Sequence, residues 1–194
     1  MEIGATKAVQ DRLKTTKIEE SKGASLVFCW DTHLTKIKGR NVLFIVNASN
    51  RYTIAMTDIE PRNWNYYTMY IRSVIHGVMQ EMGYSEDQIG QYFKISGDTT
   101  VTKTHGRKSV GGINRMVMDA QYFGKKLEKE AKYQWELSEY LNRDICQPEG
   151  FDAYGYPSEL FKLDMERLGI VAKRKPAKII DFTKYIDTNR STNH

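Results

Sequence analysis

A window without any acidic residue lies near the middle of the chain and carries several groups that bind anions. No aspartate or glutamate occurs in residues 99–118, whereas Lys103, Arg107 and Ser109 all fall there. Basic side chains, hydroxyl groups and the backbone N–H groups at a helix start bind negatively charged oxygen atoms. The window, including Asn114, therefore predicts a pocket for a phosphate or carboxylate group. The alternative is a solvated turn followed by an ordinary helix cap.

An aromatic and an imidazole side chain that could serve such a ligand lie close together in residues 30–33. Trp30 could stack on a nucleotide base or another flat group. His33 could donate to a phosphate or act as a general acid or base. The alternative is a tryptophan in the hydrophobic core beside a polar turn, since most tryptophan side chains are buried.

Three more candidates surround a predicted turn. Arg51 could clamp a phosphate with two of its nitrogens, and Asn47 and Tyr52 flank it. The alternative is a hairpin turn in which asparagines adopt positive φ and Arg51 pairs with a surface acid. Lys7 stands at a predicted helix start, where the helix dipole disfavours a cation. This position favours a ligand-binding role, and the alternative is a loose surface lysine.

Several kinds of catalytic and metal site are missing from the sequence. The GxxxxGK[ST] order of the P-loop and the GxGxxG dinucleotide fingerprint are absent, as are HExxH, CxxC and GxSxG. Asp31, Asp58 and Asp98 form no recognisable metal-binding motif. We therefore expect no bound metal and no cofactor, and any catalysis would use His33 or His105 as acid or base.

Short patterns spread over the first part of the chain resemble those of one family. The patterns are Thr6-Lys7, Trp30-Asp31-Thr32-His33-Leu34, residues 41–47, Asn50-Arg51-Tyr52, and residues 93–114 with Thr102-Lys103-Thr104, Arg107-Lys108-Ser109, Gly111 and Asn114. Together they resemble the bacterial domain-of-unknown-function family numbered 6933. The resemblance covers residues 1 to about 125 and implies a C-terminal elaboration over residues 126–194. The family brings no established reaction, but its association with plasmid and phage-like neighbourhoods implies an accessory protein of a mobile element.

The elements that must position these side chains follow from the periodicity of the apolar residues. Alternating or β-branched segments predict strands at residues 1–5, 26–30, 34–38, 42–46, 52–57 and 99–104, with one more at 179–182 after a basic linker at 173–176. Helical stripes and cap residues predict helices at residues 7–14, 67–83, 86–93, 113–142 and 158–168, with a turn at 109–112 and a capping box from Ser85 to Gln88. We expect an α+β fold with an antiparallel sheet of about five strands, helices packed mainly on one face, and a helical C-terminal extension.

Composition places the chain among globular proteins that form one main domain. Its 194 residues carry a net charge of +5, and 40% of them are hydrophobic. This suffices for a core, and no apolar run is long enough to span a membrane. The two cysteines lack the spacing of a disulfide framework or a zinc site, and the N-terminus lacks a signal peptide. We therefore expect a cytoplasmic location.

Three functions remain open from the sequence. The first is an accessory protein that binds an anionic, phosphate-bearing ligand, either a nucleotide or a nucleic acid. The second is a metal-independent phosphodiesterase that resembles a ribonuclease. The third is a protein-interaction module or an inhibitor of a host protein. No membrane partner is expected, and the sequence leaves the oligomeric state open.

Overall fold

One five-stranded sheet forms the centre of the chain in a computed structural model that describes residues 1–14 and 18–172. The strands are β1 (Glu2–Ala5), β2 (Cys29–Ile37), β3 (Arg40–Asn47), β4 (Thr53–Thr57) and β5 (Thr100–Thr102). Their order across the sheet is β4-β3-β2-β1-β5. The predicted α+β fold and the number of strands are confirmed. The predicted strand at 179–182 and the basic linker at 173–176 lie outside the described residues.

The described residues also form seven α-helices. They are α1 (Lys7–Leu13), α2 (Pro61–Asn65), α3 (Tyr67–Glu81), α4 (Glu86–Ser96), α5 (Gly106–Gln121), α6 (Trp135–Asn142) and α7 (Pro157–Arg167). The capping box predicted for α4 is confirmed. The backbone N–H of Gln88 donates to the hydroxyl of Ser85, and the backbone N–H of Ser85 donates to the side chain of Gln88.

The sheet is mixed and not purely antiparallel as the sequence predicted. Strands β2, β3 and β4 form the predicted antiparallel meander. Strand β1, however, pairs in parallel with β2 on one side and with β5 on the other. Parallel neighbours require a connection that crosses back along the sheet, and α1 with the loop after it forms this connection between β1 and β2. Three parallel strands therefore lie side by side at one edge of the sheet.

Strand β2 joins two segments that the sequence predicted as separate strands at 26–30 and 34–38. Residues 26–28 form a short 3₁₀ turn instead. The polar residues between the two segments pair with β3 through their backbone. Asp31 lies opposite Val46, and His33 lies opposite Phe44. One long strand forms because the hydrogen bonds between strands join backbone groups and do not depend on side-chain polarity.

Helix α5 differs most from its prediction. The sequence predicted a turn at residues 109–112 and one long helix at residues 113–142, and both predictions are wrong. Helix α5 includes the predicted turn and ends at Gln121, and α6 is a separate helix. Ser109, Ile113, Met116 and Ala120 are buried on one side of α5. Packing of this side outweighs the preference of the two glycines for a turn.

The helices cover both faces of the sheet, and most of them pack on one face. The larger core packs α3, α4 and α7 against that face, and the smaller core packs α5 and α6 against the other. Val9 places α1 with the larger core, whereas Ile113 places α5 with the smaller one. Leu137 of α6 and Phe161 of α7 are fully buried, so residues beyond 125 contribute to both cores. None of the helices in the described part of the chain combines the length and the apolar character needed to cross a lipid bilayer.

Candidate functional site

The side chain of His105 lies between two buried carboxylates at the start of α5. Its Nδ1 atom is 2.7 Å from Oδ1 of Asp31, and its Nε2 atom is 3.0 Å from Oε2 of Glu2. All three residues are less than 8% exposed. They come from three separate elements, since Glu2 belongs to β1, Asp31 to β2, and His105 precedes α5. We call these residues, together with Cys29 and Ser109, the buried polar cluster.

The pairing of β1 with β2 places the cluster on the face of the sheet that α5 covers. Glu2 pairs with Cys29, and Gly4 pairs with Asp31. Residues two apart on a strand point to the same face, so all four residues face α5. Gly4 is required here because a β-carbon at this position would lie 1.9 Å from Oδ1 of Asp31. The glycine lets the Asp31 carboxylate lie directly over β1.

Asp31 occupies the place at the start of α5 that the sequence analysis assigned to an external anion. Its carboxylate accepts hydrogen bonds from the backbone N–H of His105, at 3.2 and 3.3 Å, and from the hydroxyl of Ser109. A negative charge at a helix start is stabilised by the helix dipole. Ser109 therefore binds an acid of the chain itself, and this part of the predicted anion pocket needs correction. The window lacks acids in the sequence, but β1 and β2 supply two of them in the fold.

Glu2 is held in an ionised state by its neighbours. The hydroxyl of Ser21 donates to Oε2 at 2.6 Å, and the backbone N–H of Lys22 donates to Oε1 at 2.8 Å. Burial raises the pKa of Glu2, but the hydrogen bonds from Ser21, Lys22 and His105 outweigh it and lower the pKa below the ordinary value. The loop after α1 thus fixes the orientation of this carboxylate.

His105 carries a positive charge at neutral pH in this arrangement. Burial lowers the pKa of His105, but hydrogen bonds and electrostatic interactions with Asp31 and Cys29 outweigh burial and raise it to about 10. A histidine that stays protonated at neutral pH does not serve as a general base. The predicted role as a general base therefore fits His105 poorly.

Cys29 completes the buried polar cluster. Its Sγ atom is 3.5 and 3.6 Å from the backbone carbonyl oxygens of Ser25 and Ala24. The ligand atoms of Glu2, Cys29 and His105 all lie within 4.8 Å of one another. Carboxylate, thiolate and imidazole are the groups that bind zinc in proteins. Sequence analysis missed this set because the three residues are far apart in the chain and match no spacing motif.

His33 lies two residues after Asp31 on β2 and faces the same side of the sheet. Its Nδ1 atom is 3.2 Å from the hydroxyl oxygen of Thr6, and this hydroxyl donates to the carbonyl oxygen of Thr32 at 3.0 Å. In the tautomer that keeps the Thr6 proton in that bond, Nδ1 of His33 donates to the Thr6 oxygen. The Nε2 atom then carries the free lone pair. Burial lowers the pKa of His33, so its neutral form is favoured.

One side of α5 faces the half of β2 that contains His33. Arg107, Asn114 and Gln121 are seven residues apart and so lie on the same side of the helix. The side chain of Gln121 donates to the carbonyl oxygen of Lys36 on β2 at 3.0 Å. Arg107 and Asn114 are both exposed. Arg107 and Asn114 therefore lie on the side of α5 that contacts β2 through Gln121.

The topology meets the condition for a ligand crevice at the carboxyl ends of β1 and β5. Strands β1 and β5 are parallel neighbours. The helices that follow them pack on opposite faces of the sheet, since α1 follows β1 and belongs to the larger core, whereas α5 follows β5 and belongs to the smaller core. Adjacent parallel strands whose connections leave to opposite faces form a crevice at their carboxyl ends, where open α/β sheets bind ligands. Thr6 and Lys7 follow β1, and Arg107 begins α5 after β5.

Trp30 and Tyr52 belong to the larger core and not to this region. Trp30 is 1% exposed, and its Nε1–H donates to the hydroxyl of Tyr92 at 2.9 Å. The hydroxyl of Tyr92 in turn donates to the carbonyl oxygen of Val27 at 2.7 Å. Trp30 therefore faces away from His33 and offers no surface for stacking. Tyr52 is 4% exposed and packs against Phe161.

Asn47 and Arg51 build the turn between β3 and β4. The side-chain oxygen of Asn47 accepts a hydrogen bond from the backbone N–H of Ser49 at 3.0 Å. The side-chain nitrogen of Asn47 donates a hydrogen bond to the carbonyl oxygen of Val27. Arg51 adopts a φ of 62° and donates to the carbonyl oxygen of Gly112 on α5 at 2.9 Å. This interaction explains Gly112, because a β-carbon there would lie 3.2 Å from Nε of Arg51. The structure gives both side chains a role in the fold and does not bring them to His33.

The two predicted lysines lie on the surface and pair with acids. The Nζ atom of Lys7 lies 2.5 Å from Oδ1 of Asp11, which is one turn further along α1. Lys103 forms an ion pair with Glu20. Exposed ion pairs of this kind contribute little to stability. Lys7 stands beside the crevice, whereas Lys103 is turned towards the loop after α1.

A surface hollow lies elsewhere, between the end of α5 and α6. Its lining includes the aromatic side chains Phe123, Trp135 and Tyr140. The acids Glu136 and Glu139 in its wall pair with basic side chains. None of the residues that the sequence analysis selected lines this hollow, so it presents a solvated surface with mixed charge.

Comparison with known proteins identifies a family but no function. A family model described as a domain of unknown function, DUF6933, matches residues 2–160. The match extends beyond residue 125, where the sequence resemblance placed its end, and includes α6. No curated protein and no solved structure matches the chain.

Proposed function

We propose that this chain, which belongs to the DUF6933 family, binds a phosphate-bearing ligand in the crevice at the carboxyl ends of β1 and β5. The ligand class is a nucleotide or a nucleic acid. The observation that carries the proposal is the topology, because two parallel neighbours continue into helices on opposite faces of the sheet. The proposal includes a cytosolic location, consistent with the unpaired Cys29 and Cys146, and an accessory role in a mobile element.

Arg107 and Asn114 supply the groups that would bind the ligand. Arg107 is exposed and forms no ion pair with any residue of the described ranges. A guanidinium group binds phosphate oxygens with two parallel hydrogen bonds. Asn114 lies two turns further along the same side of α5 and offers an amide that both donates and accepts. These side chains replace the larger set that the sequence analysis selected, because Asp31 already satisfies the start of α5.

Calorimetry tests this proposal directly. The full chain is titrated with inorganic phosphate, with mono-, di- and cyclic nucleotides, and with short oligonucleotides at low and high salt. We expect at least one of them to bind, and more weakly at high salt. Arg107→Ala should reduce this affinity at least about tenfold, since hydrogen bonds to charged groups contribute about 1.5–3 kcal/mol. Arg143→Ala is the matched control, because it removes an exposed arginine directly after α6.

Two results would reject the ligand site. One is the absence of heat for every ligand in the set. The other is equal affinity of the wild-type chain and the Arg107→Ala variant. If a single host protein co-purifies equally well with both forms, the interaction-module hypothesis takes the place of this proposal.

A second candidate function is metal-independent cleavage of a phosphodiester, and the hydrogen bonding of His33 favours it. The free lone pair on Nε2 of His33 could accept the proton of an attacking hydroxyl group. In RNA the 2′-oxygen would attack the adjacent phosphorus, and the bond from phosphorus to the 5′-oxygen would break as that oxygen gains a proton from solvent. Arg107 would stabilise the negative charge that develops on the phosphate.

Incubation with RNA in a buffer without added divalent metal distinguishes catalysis from binding. The catalytic hypothesis predicts a 2′,3′-cyclic phosphate product and loss of turnover in His33→Gln, which keeps a polar side chain of similar size. Binding of RNA without any cleavage after long incubation would reduce the function to ligand capture.

A further inference from the structure

We infer that Glu2, Cys29 and His105 form a zinc site that fastens β1, β2 and the start of α5 to one another. This site is separate from the proposed ligand crevice. Its three ligand groups are buried in the described structure, whereas the crevice is bordered by exposed side chains. The inference adds a metal to a chain in which the sequence analysis expected none.

The geometry of the three ligand atoms is close to what zinc requires. Zinc binds nitrogen at about 2.0 Å, oxygen at about 2.1 Å and sulfur at about 2.3 Å, so ligand atoms in a tetrahedron lie roughly 3.4–3.6 Å apart. Oε2 of Glu2 and Nε2 of His105 are 3.0 Å apart, and Sγ of Cys29 lies within 4.8 Å of both ligand groups. A small movement of the Cys29 side chain would complete the contact.

Asp31 orients the ring of His105, as a carboxylate does for most zinc-bound histidines. A ligating histidine usually donates its second ring N–H to a carboxylate, which fixes the tautomer and the ring orientation. Nδ1 of His105 is 2.7 Å from the Asp31 carboxylate. This hydrogen bond leaves Nε2 directed at Glu2, and Cys29 lies beside Glu2 in the strand register.

The other ligands are also held in place before any metal binds. Glu2 and Cys29 are directly paired on adjacent parallel strands, so the backbone fixes their separation. Ser21 and the backbone of Lys22 hold the Glu2 carboxylate. Rigid elements with supporting hydrogen bonds give a site that needs only a small movement of the Cys29 side chain to accept an ion.

Zinc binding at these three ligand groups displaces two protons. When zinc binds, the proton on Nε2 of His105 and the thiol proton of Cys29 leave to solvent. Zinc then bonds to each of these two atoms and to the Glu2 carboxylate. The total charge of the cluster is unchanged, because the two protons that leave carry the same charge as the zinc ion that binds.

The ligand set selects zinc over the hard cations. Magnesium and calcium prefer all-oxygen sites, whereas a thiolate and an imidazole favour zinc. All three ligand residues are less than 8% exposed. We therefore assign zinc to this site, with a water molecule as the fourth ligand beside the three protein groups.

Cobalt(II) absorption tests the site in the full chain. Metal-free protein is titrated with Co²⁺, and we expect one equivalent to produce a thiolate-to-cobalt charge-transfer band that Zn²⁺ then removes. One equivalent of Zn²⁺ should also raise the midpoint temperature of unfolding. Cys146→Ser should keep the band, and because the chain has only two cysteines, this result assigns the band to Cys29. Cys29→Ser should lose the band, and Glu2→Gln should weaken Co²⁺ binding at least tenfold.

The outcome does not depend on how well the Cys29 variant folds. If the wild-type chain gives no thiolate band and no rise in unfolding temperature with Zn²⁺, the metal site is rejected. It is also rejected if Cys146→Ser removes the band. Arg107→Ala should leave the cobalt spectrum unchanged, so failure of the ligand crevice and failure of the metal site are distinguishable.

Discussion

Gly4 and Asp31 lie side by side on neighbouring parallel strands, and no side chain larger than that of glycine fits between them. A β-carbon on Gly4 would lie 1.9 Å from Oδ1 of Asp31 and 3.0 Å from the α-carbon of Thr104. The carboxylate of Asp31 holds both His105 and Ser109 at the start of α5. The smallest residue in β1 therefore decides whether the buried polar cluster can form.

We predict that Gly4→Ala is strongly destabilising. The added methyl group would push the Asp31 carboxylate away from its donors and leave a buried charge without partners, which costs about 3 kcal/mol or more. Urea denaturation measures the change in the free energy of unfolding. Gly90→Ala is the control, since Gly90 is exposed in α4 with no atom within 4 Å of its β-carbon position. That variant should gain about 0.5–1 kcal/mol, and an equal loss in both variants would contradict the packing argument.

His33 should make stability depend on pH in a defined direction. Burial lowers the pKa of His33 below its ordinary value of 6.5. The folded chain then binds fewer protons than the unfolded chain, so the stabilisation is present above pH 6.5 and is lost as the pH falls below it. Wild-type protein should lose more stability than His33→Gln between pH 7.5 and 5.5 in urea denaturation. An NMR titration that places the pKa of His33 at or above 6.5 would contradict this prediction.

Tyr92→Phe tests the role that the structure gives to Trp30. The hydroxyl of Tyr92 accepts a hydrogen bond from the Trp30 N–H and donates one to the carbonyl oxygen of Val27. All of these groups lie inside the larger core. Removing it leaves the buried Trp30 N–H without a partner, which should cost about 1–3 kcal/mol, while the Val27 carbonyl keeps its hydrogen bond from Asn47. Tyr122→Phe is the control because Tyr122 is 80% exposed, and its change should stay within about 0.5 kcal/mol. If Trp30 instead served a ligand, Tyr92→Phe would change ligand affinity more than it changes stability.

Arg51 and Arg107 should respond to alanine substitution in opposite ways. Arg51→Ala removes the bond to the Gly112 carbonyl and should lower the free energy of unfolding by about 1.5–3 kcal/mol, with little effect on ligand affinity. Arg107→Ala should leave stability within about 0.5 kcal/mol and reduce the affinity for the ligand. Thermal unfolding and calorimetry on the same two variants separate these effects. A large stability loss in Arg107→Ala would mean that Arg107 supports the fold.

The sequence by itself determined the elements whose signals are local. The apolar stripe of α3 and the capping box of α4 lie within single segments, and their periodicity or hydrogen bonding is the same in any surroundings. The meander of β2, β3 and β4 also follows from short turns between neighbouring strands. Helix α5 is the exception, because packing of its buried side decided the structure of residues 109–112.

Only the tertiary structure decided the candidate site. Strand β1 enters the sheet between β2 and β5, and no local pattern encodes a pairing between segments so distant in the chain. That pairing brings Glu2 and Asp31 to the basic window and places Cys29 beside Glu2. A window that is free of acids in the sequence therefore gains two carboxylates in the fold, which bind His105 and Ser109. The physical reason is that a charge is balanced by whatever lies near it in space, and position along the chain does not fix that distance.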